Sequence, residues 1–118
     1  MRASHNLARV SATFDHDGLM PHGGLVVAGA LAQKLGVAEL VDGHVTATRA
    51  GAVNASAKAL TVIGSALAGG DCIDDVAALG AGATRRLFDG VRAPSTVGTW
   101  LRSFIWAQVR QLDAVTRI

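Results

Sequence analysis

The chain has one cysteine, two prolines and no tyrosine, and aromatic residues make up 4% of its 118 positions. A single thiol, Cys72, excludes an internal disulfide and points to a reducing, cytoplasmic setting. No apolar run reaches the ~18 residues that a membrane-spanning helix needs, and no apolar signal-peptide core follows Met1 to Asn6. Neither Gly23-Gly24 nor Gly69-Gly70 carries the Lys-Ser/Thr of a phosphate loop, and no Ser-His-Asp set has a supporting motif. His16, Asp17 and His22 lie at no recognised zinc spacing and lack thiols. The sequence contains no complete active site, repeat or low-complexity tract.

What is abundant is small and apolar. Half of the residues are hydrophobic, and small ones dominate the chain, mainly Ala, Val and Gly. Such side chains fill a core only when helices pack closely, and 118 residues form one domain. The expected fold is mainly α: a small helical domain with one short N-terminal strand and a long C-terminal helix. Alternation over 7–14, with Val10 and Phe14 on one side, predicts the strand. The segment 25–35 is apolar nearly all round and reads as a buried helix, stopped by Gly36. One or two further helical turns follow from Val37 to Val41.

Asn54 caps a helix over 54–68, in which Asn54, Lys58, Thr61 and Ser65 form a polar stripe and Leu60, Val62, Ile63 and Leu67 face elsewhere. Asp71 caps a short helix over 72–79, with Asp74 and Asp75 in its first turn, where negative charge suits the helix dipole. That capping accounts for the three aspartates without a metal. Thr84 to Phe88 makes a brief helical turn. Ser95 caps the last helix, over 95–117. It ends without Gly or Pro, which reads as a truncated chain.

The net charge is only +2, but it is unevenly spread. From Arg85 onward six Arg stand against two Asp, whereas five Lys or Arg stand against seven acids before it. A basic C-terminal third points to a polyanion partner. On a continuous final helix, Thr99, Arg102, Arg110, Asp113, Arg117 and Trp106 fall on the arc opposite Val97, Leu101, Phe104, Ile105, Leu112 and Val115. A Trp on a charged face asks for nucleic acid, another domain or a second copy. The candidate DNA-binding residues are Arg85, Arg86, Arg92, Ser95, Thr96, Thr99, Arg102, Trp106, Arg110 and Arg117. The arginines suit phosphates. Pro94-Ser95-Thr96 suits the entry to a recognition helix, where hydroxyls and free amides hold a phosphate. The alternatives are a solvated or interdomain face for the arginines and an ordinary cap for Ser95.

Several blocks keep a common spacing: Gly69-x-Asp71-x-Ile73-Asp74-Asp75, Ala93-Pro94-Ser95-Thr96-x-Gly98, Leu101-Arg102-Ser103-Phe104 and Val109-Arg110-Gln111-Leu112-Asp113. Gly23-Gly24-Leu25 and Leu35-Gly36-Val37 precede them. Together they resemble the N-terminal region of bacterial insertion-sequence transposases of the DDE type, closest to the actinobacterial branch. Leu79-Gly80 stands where that family often has Leu-Arg. The resemblance implies DNA transposition by a magnesium-dependent RNase H-like domain with two Asp and one Glu as metal ligands. Those ligands are expected beyond position 118, so the catalytic part is absent and no catalytic residue, metal ligand or cofactor is assigned here. The implied partners are transposon-end DNA, the missing catalytic domain or a second copy, with no membrane. A stand-alone DNA-binding regulator of helix-turn-helix type and a decayed, non-functional transposase fragment are the alternatives.

Overall fold

The computed structural model describes residues 11, 13, 15–46, 53–88 and 90–118. Five α-helices carry the chain: α1 (Leu25–Lys34), α2 (Val37–His44), α3 (Ala55–Leu67), α4 (Pro94–Arg102) and α5 (Trp106–Thr116). Two 3-10 helices, Ile73–Gly80 and Gly82–Leu87, lie between α3 and α4. The described residues contain no strand. The strand expected over 7–14 lies outside them, except for Ser11 and Thr13.

Each boundary has a local cause. Gly36 takes a left-handed conformation at φ 67, which turns the chain from α1 into α2. Asn54 precedes α3, also left-handed at φ 61, but its side chain makes no capping bond. In the first 3-10 helix Ile73, Val76 and Leu79 recur every third residue, the spacing at which 3-10 side chains eclipse. Val76 and Leu79 are buried. This element starts from Cys72 rather than from an Asp71 cap. The Asp75 carboxylate reaches back, accepting the N–H groups of Asp71 at 2.9 Å and Cys72 at 3.1 Å.

The core sits where α2, α3 and α4 meet. Val41, Val45, Ala55, Ala59 and Trp100 are buried there, with Val37, Val62, Leu101, Phe104, Leu112 and Val115 packed around them. Trp100 and Phe104 meet edge to face at 4.9 Å. At Gly64 the Phe88 ring crosses α3 so closely that a Cβ would lie 2.6 Å from it.

Two expectations are corrected and one left open is completed. First, the helix over 95–117 is two helices, broken at 103–105. The Ser103 hydroxyl donates to the Trp100 carbonyl at 2.6 Å, and Phe104 N–H bonds Leu101 O, tightening the last turn of α4. Ile105 is extended, and its N–H donates to the Gln108 side chain at 3.1 Å, which starts α5 afresh. Gln108 Nε2 then donates to Thr46 O at 3.2 Å, and Gln111 exchanges two further bonds with Thr46. Those bonds turn α5 onto the end of α2.

Second, the polar stripe of α3, whose facing the spacing left open, is buried from Lys58 onward, while Asn54 is exposed. Thr61, Ser65 and Lys58 are 0%, 5% and 6% exposed, while Ile63 and Leu67 stand out at 43% and 61%. Size decides this: Ala55, Ala59, Thr61, Gly64 and Ser65 let neighbouring elements approach, and Thr61 Oγ1 satisfies itself on Ala57 O at 2.7 Å. Third, α1 buries only Leu25. Val26, Val27, Leu31 and Leu35 are exposed, because α1 packs mainly on α2 and the second 3-10 helix.

Candidate nucleic-acid interface

α4 begins at Pro94, whose fixed φ and missing N–H suit the first helical position. The N-cap is Ala93, and Ser95 makes no cap bond, so the expected Ser95 cap is corrected. Ser95, Thr96 and Thr99 are all exposed. On α4, Ser95, Thr99 and Arg102 fall within roughly 60° of one another and form an outward polar stripe. Arg102 is exposed, but its guanidinium lies back along the helix: Nη1 is 3.0 Å from where a Cβ on Gly98 would sit. The missing side chain at Gly98 is what admits it.

α5 carries its own stripe. Trp106, Arg110, Asp113 and Arg117 recur at steps of four, three and four, within roughly 60° around the axis, and all are exposed. Trp106 is 74% exposed, against 2% for Trp100. Arg117 is already engaged, with Nη2 at 2.8 Å from Asp113 Oδ2. Arg110 has no ion-pair partner among the described residues. The break at 103–105 means that the stripes of α4 and α5 are no longer one arc, as the continuous helix required.

Arg85 and Arg86 are exposed on the last turn of the second 3-10 helix, where cations complement the helix dipole. Arg92 differs from the rest. It is half-buried, its N–H donates to Thr61 Oγ1 at 3.4 Å, and its buried Nε finds no partner among the described residues. Burial, and then the Arg92 charge, push the Lys58 ammonium below the ordinary lysine range. Lys58 Nζ donates to Val53 O at 2.9 Å. Both side chains therefore belong to the inner, polar side of α3, a placement that the spacing of the polar stripe does not give.

One set of metal-type ligands is found among the described residues: Asp71, Cys72 and Asp75, with ligand atoms within 4.8 Å of one another. Its chemistry does not suit the magnesium of a DDE transposase. Mg²⁺ takes hard oxygen ligands in octahedral array, and the set offers one soft thiol. Asp75 Oδ2 is also occupied, accepting Cys72 Sγ–H at 3.2 Å besides two backbone N–H groups. Those bonds, from Asp71 N–H first, hold its carboxyl below the ordinary carboxylate range. His16 is likewise used locally, its Nδ1 accepting Gly18 N–H at 3.0 Å. No helix among the described residues is long and apolar enough to cross a membrane.

The side chains that sequence reasoning missed are Gln108 and Gln111, which fix where α5 points. Their signal is the Gln three residues after Ile105, a half capping box hidden inside a pattern that reads as continuous helix. Comparison with known proteins returns no match to a family model, a curated protein or a solved structure.

Proposed function

We propose that this chain is an N-terminal helical region of a DDE-type insertion-sequence transposase that binds transposon-end DNA or supports its assembly, and that it is not catalytic alone. The observation that carries this reading is the set of spaced sequence blocks, of which Ala93 to Asp113 spans α4 and α5. Supporting it, both helices expose residues within or beside those blocks: Ser95, Thr96, Thr99 and Arg102 on α4, Trp106 and Arg110 on α5. Exposed cations neutralise phosphates, and an exposed Trp stacks on bases or sugars. The proposed partners are DNA and a catalytic RNase H-like part with its own Mg²⁺, in the cytoplasm.

The second reading is a stand-alone DNA-binding regulator. The three-residue connection between α4 and α5 favours it, since helix-turn-helix units join their helices this way.

The test is a salt titration of DNA binding. The double variant Arg102→Ala/Arg110→Ala lowers affinity on every sequence and reduces the log–log salt slope by about two, at about 0.9 per phosphate contact. Arg117→Ala has a smaller effect, because Asp113 already holds that guanidinium. Preference for element-end DNA over promoter DNA supports the transposase reading, and the opposite preference supports the regulator. No binding at low salt removes both.

A further inference from the structure

We propose that this chain self-associates by seating the exposed Trp106 of one copy in an apolar pocket between α3, the first 3-10 helix and α4 of another. The proposal stands on surface shape and charge and does not depend on the DNA reading.

The socket is built by three elements. Val62 and Ala66 of α3, Ile73 and Val76 of the first 3-10 helix, and Val97 and Leu101 of α4 line a cavity of about 240 Å³. Residues four apart on an α-helix and three apart on a 3-10 helix return to one face, so each helix offers the cavity an apolar pair. Ala66, Asp71 and Ile73 are exposed, and the cavity opens to the surface between them. It is smaller than the roughly 300–1,000 Å³ of a small-molecule site and suits a single large side chain. Asp71 is the one charged residue on its wall among the described residues, and Asp74, three positions on, is exposed as well.

The plug stands at the start of α5. Trp106 is 74% exposed, and Ile105 and Val109 beside it are 62% and 47% exposed. Around the axis of α5, Val109 falls about 60° to one side of Trp106 and Arg110 about 40° to the other. Arg110 has no ion-pair partner among the described residues, whereas Asp113 is taken by Arg117. An aromatic ring with one apolar and one cationic flank thus matches an apolar cavity with an acidic rim. The ring fills the cavity, and Arg110 meets Asp71 and Asp74. The acidic rim also selects the occupant. Nucleic acid or an anionic lipid surface would bring phosphates against Asp71, and both halves of a better match are already on this chain. Plug and socket are different surfaces. A pair of copies either exchanges plugs, which closes the assembly, or leaves one plug and one socket free for a third copy.

The experiment is sedimentation equilibrium of the whole chain without nucleic acid, across a concentration series, with Trp emission read in parallel. The average mass of wild type rises above 12.1 kDa, and emission shifts to the blue as Trp106 leaves water. Trp106→Ala, at an exposed position that leaves helical circular dichroism unchanged, weakens association by at least roughly thirtyfold and abolishes the shift. Ala66→Phe fills the socket and weakens association likewise. Mixing those two variants restores association, since one brings the socket and the other the plug. Arg110→Glu weakens association, and Asp71→Lys in the same chain recovers it in part. A wild type that stays monomeric throughout the series overturns the proposal. So does a mass that rises without the blue shift, or a mixture that stays monomeric. Loss on Ala66→Phe with none on Trp106→Ala gives the socket to a different plug and overturns it too.

Discussion

α1 and α3 share a mean composition of small and aliphatic residues, yet they use it in opposite ways. α3 turns Thr61, Ser65 and the Lys58 stem inward and leaves Ile63 and Leu67 outside; α1 leaves almost its whole apolar surface outside. The difference is one of neighbours. α3 lies against α2, α4 and the first 3-10 helix at once, so its inner face must be thin. A Thr that bonds its own helix carbonyl is thinner than a Leu and leaves no polar atom unsatisfied. α1 has no such crowding. Hydropathy ranks side chains by transfer from water, but a helix hemmed in on several sides also ranks them by bulk.

The largest test of this contrast uses the two tryptophans. Trp100→Ala empties the centre of the core and costs about 3–5 kcal/mol, enough to unfold a domain of ordinary stability under mild denaturant. Trp106→Ala stays within about 0.5 kcal/mol. Urea titration of both variants compares them directly, and equal losses would show that α5 packs more tightly than its exposure implies. Next come two helical glycines. Gly64→Ala drives a methyl into the Phe88 ring and costs about 1–3 kcal/mol. Gly29→Ala meets open space and stabilises dilute protein by about 0.5–1 kcal/mol through helix propensity. A loss at Gly29 would mean that α1 is covered in the single chain.

The smallest effect is in pH dependence. The Asp75 carboxyl is lowered when folded, so its contribution is present above its unfolded value and is lost as pH falls through its folded value. Asp75→Asn removes that acid-side slope. Lys58 is also lowered, but it is a base. Between its lowered and its ordinary value the unfolded chain holds more protons, so stability rises with pH there. Lys58→Met flattens that alkaline arm in pH-resolved denaturation, and an unchanged arm would place Lys58 in solvent after all.

The helical class was legible from residues 25–35 and 54–68, because local propensity and punctuation by Gly36 and Gly69-Gly70 mark helices whatever surrounds them. Facing was not legible. A stripe at Lys58, Thr61 and Ser65 fixes which residues lie together, and only tertiary neighbours fix which way the stripe points. The break at 103–105 escaped for a related reason. Nothing at Ser103-Phe104-Ile105 forbids a helix, and the chain turns because Gln108 and Gln111 find Thr46, about sixty positions earlier. Of the DNA-binding candidates, those from Thr99 to Arg117 were read as one arc of a continuous helix, and the break keeps the spacing within α4 and within α5 but not the arc that joined them. Arg92 was read from proximity in sequence, which says nothing of its placement beside Lys58.

The first 3-10 helix also sets a length. Its residues rise about 2.0 Å each, against 1.5 Å in an α-helix, so the eight residues Ile73–Gly80 reach about 16 Å where an α-helix would reach about 12 Å. Beyond it, in the second 3-10 helix, Ala83 N–H bonds Leu19 O at 2.9 Å, tying the chain back to the approach to α1. Rewinding that segment as α-helix would shorten it by about 4 Å, more than one hydrogen bond can stretch. The segment is a spacer, and its winding sets how far the chain travels between Cys72 and the bond that ties it to Leu19.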